Sequence, residues 1–504
     1  MNTNTTPYAP IAPLMEIDAY KLSHRTQYAL TGNVTRVYSN FTNRKSRLEG
    51  VNGVVHFGLQ AFLQEYCIEA FQPFFEADED EVARLYAERY TQVVGGDPAD
   101  VDVSHIRGLH RLGYLPLVFS GVPEGTVVPL GVPSFVVENT HPDFYWLPNY
   151  IEPVLSAIVW HPSTTATIAH RLRTFLDVMA ERTASVQEAV DFQGHDFSFR
   201  GQASPQSAAG SGAGHLLSFL GSDSIISMEW VDHFYAGDNG MVLGSVPATE
   251  HSVMSTGIAV NGEEETFKRL LEAYPSGILS VVSDTFDLWR VLQEYLPNLK
   301  NEVLGRDGKL VIRPDTGNPA DIICGERTGD IPDADRVEGS PADKGVLELL
   351  WDEFGGTVND KGYRELDPHV GVIYGDSITY ERAQDICERM ERMGFASTNV
   401  VFGVGSYTYQ YVTRDTFNSA MKATWAEVNG EGVDLFKNPV TGDGVKRSAT
   451  GRLAVIRDGD TLKLIEKATP EQEADSVLQP VWRDGQFLRY QSFADVRKTL
   501  KEQQ

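Results

Sequence analysis

One stretch, residues 195–223 (HDFSFRGQASPQSAAGSGAGHLLSFLGSD), gathers two aromatic rings, an arginine, a glycine-rich run and a closing carboxylate. Phe197 and Phe199 alternate with polar neighbours, as on a short strand, and Arg200 and Gly201 follow where a side chain would emerge beside a turn. The small residues 207–214 let backbone approach another group, and an apolar helical stub at 215–219 leads to Asp223 in a Gly-Ser-Asp turn. Such a set suits a pocket in which a flat ring stacks on Phe197, an anion meets Arg200, and Asp223 accepts hydrogen bonds from whatever the ring carries. A glycine-rich helix packed on a sheet is the alternative, and this stretch alone leaves both open.

A second stretch, Arg313-Pro-Asp315-Thr-Gly-Asn-Pro319, follows an apolar run. Helix capping accounts for an Asp in that place, but not for an Arg two residues earlier, so the pair is a candidate functional pair. His251, in Pro-Ala-Thr-Glu-His, reads on its own as a hydrogen-bonded loop histidine. Lys422, Lys437, Lys446 and Arg447 form an unusual run of cations in an acidic chain, and by themselves suit a solvated surface.

The elements that must carry these residues show a rhythm in the middle of the chain. Apolar runs at 279–284, 310–315, 370–376 and 400–405 each end in a polar or glycine-containing turn and are followed by a helical pattern. That is the signature of βα units; it predicts an α/β fold with an irregular (β/α) barrel-like central domain, closed or partly closed, whose strand ends carry the site. Three of the runs finish in a carboxylate (Asp284, Asp315, Asp376) and the fourth in glycines. On either side the chain is β-rich: an alternating strand at 34–41, Val/Leu/Phe runs at 115–140, and hairpins turning at Asp458-Gly459 and Asp484-Gly485. The expected organisation is residues 1–180 together with 410–504 as a β-rich α+β domain, and 181–409 as the barrel-like catalytic domain. An acidic helix near 80–90 reads as a solvated face, and the polar segment 324–345 as a surface insertion.

Composition limits the partners. The 504 residues carry 43 Lys and Arg against 70 Asp and Glu, a formal net charge of −27, which repels nucleic acid and anionic membranes. A phosphate-rich ligand would need a local cluster of cations working against that field. No apolar run approaches a transmembrane helix, and the N-terminal residues lack the pattern of a secretory signal. The three cysteines make no metal-binding spacing, so free thiols and a cytoplasmic location are expected.

The sequence resembles the nicotinamide phosphoribosyltransferases along nearly its whole length. The likeness runs through Asp18-Ala-Tyr-Lys21, Asn149-Tyr-Ile-Glu152, His195-Asp-Phe-Ser-Phe-Arg-Gly201, Gly221-Ser-Asp223, Ser245-Val-Pro-Ala-Thr-Glu-His251, Ser280-Val-Val-Ser-Asp284, the Arg313 stretch, Tyr374-Gly-Asp376 and Thr413-Arg-Asp415. The resemblance implies formation of nicotinamide mononucleotide and pyrophosphate from nicotinamide and phosphoribosyl pyrophosphate, with Mg²⁺, driven by ATP hydrolysis, in a homodimer whose sites lie at the subunit interface. It implies nicotinamide between Phe197 and the partner's Tyr20, with Asp223 on its amide. Arg200, Arg313 and His251 would hold the pyrophosphate side with Ser280 nearby, and Asp315 and Asp376 the ribose hydroxyls. Asp284 and Asp315 would lie nearest the metal, and Gly375, Gly405 and Ser406 would meet phosphate. Arg44, Arg414, Lys422 and Lys437 would come from the other subunit, and His251 matches the histidine that the family phosphorylates from ATP. Two positions depart from the family pattern: the phosphate loop is the bulkier Gly403-Val-Gly-Ser-Tyr407, and Phe199 replaces a tyrosine.

A nicotinate phosphoribosyltransferase and a non-catalytic dimeric binding module remain as alternatives. Asp223 argues against the first, because two like charges about 4 Å apart repel by about 4 kcal/mol at an effective dielectric of about 20. Retention of Arg200, Asp223, His251, Arg313 and Asp315 as a set argues against the second.

Overall fold

The protein is described by a computed structural model covering residues 8–236, 240–332, 336–375, 377–437 and 448–503. Its chain sorts into two compact units, one of Met1–Thr167, Val231–Asp238 and Val412–Gln504, the other of Ile168–Trp230 and Asn239–Tyr411. Among the described residues no helix is long and apolar enough to cross a membrane.

The first unit is built on a seven-stranded antiparallel sheet in the order Glu431–Asp434, Ser419–Val428, Val34–Asn43, Pro133–Asn139, Leu117–Gly121, Gln479–Arg483, Gln486–Phe487. Strands from both ends of the chain therefore share one sheet, and Ile11, Phe41, Met421 and Trp482 lie in one hydrophobic cluster. Alternation does the sorting: along Leu117–Gly121 every second residue is buried, as a pleated strand with one face on a core requires. Beneath it Phe41 stacks on Phe135 at 5.0 Å, and Phe119 meets the fully buried Trp482 edge-on. The acidic stretch near residue 80 is a helix, Glu79–Val94, started by the Asp78 carboxylate accepting from the N–H groups of Asp80 and Glu81. It is solvated on one side only, because Val82, Leu85 and Tyr86 on the other are buried.

The second unit holds a six-stranded parallel sheet. In chain order its strands are β1 (Gly194–Asp196), β2 (Gly221–Ser222), β3 (Ser276–Val282), β4 (Asp307–Arg313), β5 (Val370–Tyr374) and β6 (Val400–Val404), and their order across the sheet is β2-β1-β6-β5-β4-β3. Every residue of β5 is buried, as expected of parallel strands covered on both faces. The edges do not stay open. A ribbon at 244–249 bridges Gly244 to Gly221 beside β2 and Ala248 to Ser280 on β3, both parallel. Gly244 donates to the Leu220 carbonyl at 2.7 Å, and Ser280 to the Pro247 carbonyl at 2.9 Å. This ribbon curls the sheet into the barrel-like form expected from the sequence.

Two local expectations are corrected, and one choice left open by the sequence is decided. The strand through the His195 segment ends at Asp196, before either phenylalanine, because the Asp196 carboxylate accepts from the Ser198 N–H at 2.9 Å and turns the chain. Phe199–Gly201 is then a single 3₁₀ turn. The small residues at 207–214 take the glycine-rich helix alternative: Pro205–His215 is capped by the Ser204 hydroxyl and starts on Pro205. Its glycines serve packing, since a Cβ on Gly212 would lie 2.0 Å from the Ser227 hydroxyl oxygen. The segment 324–345 is more than a surface insertion, because Cys324 is fully buried and a Cβ on Gly345 would press on the Gly325 N–H at 2.3 Å.

Candidate active site

Six parallel strands hand over six residues at one end. Phe197 follows β1, Asp223 β2, Asp284 β3, Asp315 β4, Gly375 β5 and Gly405 β6, each within two residues of its strand's C-terminus. Convergence of strand C-termini is where barrels and open α/β sheets place ligands. A cavity of about 640 Å³ opens there, lined by Phe197, Phe199, Arg200, Gly201, Asp223, Ser224, Arg313, Asp315, Gly375, Gly405 and Ser406. The turn that ends β1 explains how Phe197 and Arg200 both reach it: the Phe197 N–H is pinned to the Val404 carbonyl at 2.9 Å, and the 3₁₀ turn lifts Arg200 over the rim.

One end of the cavity is a ring slot. The Arg313 guanidinium lies 5.0 Å from the centre of the Phe197 ring, and the His195 ring packs on the same phenylalanine at 4.7 Å. Asp223 stands beside them, its Oδ1 bonded to His195 Nε2 at 2.9 Å and to the Ser245 hydroxyl. Burial acts most strongly on this carboxyl and pushes its pKa up, but the His195 and Ser245 hydrogen bonds and the charge of Arg313 outweigh that, so the group is held below its ordinary value. It is therefore ionised at neutral pH.

Arg313 and Asp315 on the cavity wall have polar and charged neighbours, Asp284, His251 and Ser280, which are not part of its lining. The Asp284 Oδ2 accepts from the Asp315 N–H at 2.7 Å, which ties the ends of β3 and β4 together. Its Oδ1 is buried without a hydrogen-bond partner among the described residues, as is Arg313 Nε. His251 is the first residue of the helix His251–Asn261; it is half exposed, with Nε2 3.9 Å from Asp315 Oδ2. Ser280 is buried within β3, where its backbone is taken up by the ribbon. Asp376 lies outside the described residues, as do Lys446 and Arg447.

This geometry belongs to a chain with clear relatives. Residues 192–484 match the nicotinate phosphoribosyltransferase (NAPRTase) family. Over 506 residues the chain is 47% identical to the nicotinamide phosphoribosyltransferase of Acinetobacter baylyi (strain ATCC 33305 / BD413 / ADP1), with 98% of each chain covered. It is 37% identical to the enzyme of that name from Mycoplasma pneumoniae (strain ATCC 29342 / M129 / Subtype 1), over 87% of this chain and 94% of the other. The chain belongs to the nicotinamide phosphoribosyltransferase family. Among solved structures, human nicotinic acid phosphoribosyltransferase shares the fold at 15% identity, with a TM-score of 0.55 over 96% of this chain and 93% of that one. The nicotinate-nucleotide pyrophosphorylase from Pyrococcus furiosus does so equally, at 15% identity and a TM-score of 0.55 over 100% and 97%.

The remaining residues matched to the nicotinamide phosphoribosyltransferases lie in the first compact unit. Tyr20 is exposed, its hydroxyl donating to Asp18 at 2.8 Å. Arg44 and Lys422 line a separate cavity of about 260 Å³ with Asn40, Thr42 and Ser448. Arg44 is held by Asn418, and its pKa is lowered by burial and by the nearby charge of Arg414. Burial likewise lowers the Lys422 pKa; Glu152 opposes that, while Arg44 and Arg414 add to it. Lys437 is exposed, with its N–H on the Ser448 hydroxyl. Sequence reasoning missed His195 and Ser245 as partners of Asp223. The available signal was slight: both sit inside quoted motifs, and His195 stands two residues from Phe197.

Proposed function

We propose that this protein makes nicotinamide mononucleotide and pyrophosphate from nicotinamide and phosphoribosyl pyrophosphate, a step of NAD salvage. The observation that carries this reading is the ionised Asp223 carboxylate set beside Phe197 in a cavity that also holds Arg200 and Arg313. A neutral carboxamide offers N–H donors to that oxygen, whereas a carboxylate on the same ring meets a like charge.

The reaction follows from the residue types. The lone pair of the nicotinamide ring nitrogen forms the new bond to the anomeric carbon as the C–O bond to pyrophosphate breaks, its electron pair leaving with pyrophosphate. That nitrogen carries no proton to remove, so the site needs no strong general base. What it needs is alignment of the ring, supplied by the Phe197 face, and stabilisation of the leaving oxygens, supplied by Arg200 and Arg313. Asp315 suits the ribose hydroxyls. The Asp284 Oδ1, without a hydrogen-bond partner among the described residues and beside Asp315, fits Mg²⁺, which is held by one or two carboxylates together with substrate phosphates. When bound, Mg²⁺ would neutralise charge on the pyrophosphate.

Three further parts belong to the same reading. His251 accepts a phosphoryl group from ATP; its half-exposed ring near Asp315 is open to the nucleotide and close to the sugar site. Two copies of the chain form a homodimer in which Tyr20 completes the ring slot of the partner, and Arg44, Arg414, Lys422 and Lys437 meet its phosphates. Their crowding in so acidic a chain, with Arg44, Arg414 and Lys422 all within mutual repulsion, supports an anion between them. The location is cytoplasmic, which suits three buried free thiols.

The direct test is radiolabelled nicotinamide with phosphoribosyl pyrophosphate and Mg²⁺, with and without ATP. Mononucleotide is expected in both and more with ATP; no mononucleotide in either sinks the reading. Ser406 opens the short helix Ser406–Gln410 just after β6. A Cβ on Gly201 would lie 2.1 Å from the Ser406 hydroxyl oxygen, so Gly201→Ala should displace that helix start and raise the KM for phosphoribosyl pyrophosphate about tenfold. The double change Gly201→Ala with Ser406→Gly removes the clash and should recover part of the loss; steady-state kinetics of the two variants decides it.

A further inference from the structure

We propose that His195 and Ser245 are the positioning residues that set ring specificity: both bond Oδ1 of Asp223, and so present its Oδ2 to an amide and against a carboxylate. The inference rests on the reading of Asp223 as the acceptor of the ring's amide. The geometry is one-sided. His195 Nε2 lies 2.9 Å from Oδ1, the Ser245 hydroxyl donates to the same Oδ1, and among the described residues no donor reaches Oδ2. An ionised carboxylate only accepts, so His195 must carry its proton on Nε2.

The two donors come from different parts of the barrel. His195 is on β1, its ring wedged so closely over Gly221 that a Cβ there would lie 2.8 Å from Nδ1. Ser245 is on the closing ribbon. Asp223 is thus fixed from both sides, and its rotation, which would exchange Oδ1 and Oδ2, breaks both bonds. The groups facing it are His195, Ser245 and the charge of Arg313 from β4. The buried His215 is influenced by both His195 and Asp196. Losing a donor disfavours the ionised form of Asp223, so its pKa rises. Nicotinamide binding needs that ionised form and is lost as pH falls through this pKa; the acid limb of the profile must therefore move upward.

The test measures kcat/KM for nicotinamide and for nicotinate from pH 3 to 7 in Ser245→Ala, His195→Leu and His195→Gln, with Asp223→Asn alongside. A hydrogen bond to a charged group corresponds to about a tenfold to hundredfold change. Ser245→Ala and His195→Leu are expected to lower the nicotinamide-to-nicotinate ratio about tenfold each and to move the acid limb up by about one pH unit, while His195→Gln, which keeps a donor, restores most of both. Binding of phosphoribosyl pyrophosphate reports whether the His195→Leu barrel is intact, and Ser245→Ala, at an exposed position, carries the test if it is not. An unmoved ratio and acid limb in Ser245→Ala and in an intact His195→Leu, with Asp223→Asn still altering the ratio, overturns this proposal alone. An unaltered ratio in Asp223→Asn overturns the reading of the slot beneath it.

Discussion

Asp223→Asn is expected to cost the enzyme its preference for the amide by about a thousandfold. The figure comes from the charge that the substitution removes. At about 4 Å and an effective dielectric of about 20, a ligand carboxylate facing Asp223 is opposed by about 4 kcal/mol, close to three decades in binding. Asparagine keeps an oxygen for His195 and Ser245 and keeps the volume of the side chain, so the slot stays assembled while the repulsion disappears. Nicotinate should gain most of the change, and nicotinamide should lose the smaller contribution of a charge-assisted hydrogen bond. Competition between the two labelled substrates at fixed phosphoribosyl pyrophosphate measures the ratio directly, and a ratio within threefold of the wild-type value contradicts the assignment.

Arg313→Ala should lower kcat/KM for phosphoribosyl pyrophosphate by about a hundredfold to a thousandfold, the size of a lost preorganised donor to a developing anion. Two contributions disappear together. The guanidinium has a buried Nε without a hydrogen-bond partner among the described residues, and it also lies 5.0 Å from the centre of the Phe197 ring. Removing it weakens both the leaving-group contact and the ring stack, so kcat falls as well as affinity. Arg313→Lys should recover only part, since an ammonium lacks the planar fork and stacks poorly. Isotherms for phosphoribosyl pyrophosphate together with single-turnover rates separate the two contributions; unchanged values for both in Arg313→Ala would remove this residue from the site.

Legibility of this fold in its sequence depended on strand length. The four runs that became β3 to β6 have five to seven residues, enough apolar pattern to be read with their turns. β1 has three residues and β2 two, below the span at which a period of two can be distinguished. Their place is set by neighbours: β1 pairs with β6 from Phe402 to Val404. The stretch 207–214 stayed undecided for a different reason, because glycine disfavours helix by about 1 kcal/mol per residue and only burial against Ser227 and its surroundings tips it into helix. In the site, charged and aromatic residues at strand ends could be read from motif and spacing, whereas the supporting bonds of His195 and Ser245 come from segments fifty residues apart in the chain. No local pattern records that meeting.

The ribbon at 244–249 has a consequence for how this barrel tolerates change. Ser245 sits at its beginning and His251 just past its end, and two isolated bridges, at Gly244 and Ala248, hold it. Losing or gaining a single residue between those anchor points would shift Ser245 away from Asp223 and drag the helix of His251 along the rim. The grip on Asp223 and the distance from His251 to Asp315 would fail together, so length in this segment should be as tightly constrained as the identity of any residue that touches a ligand.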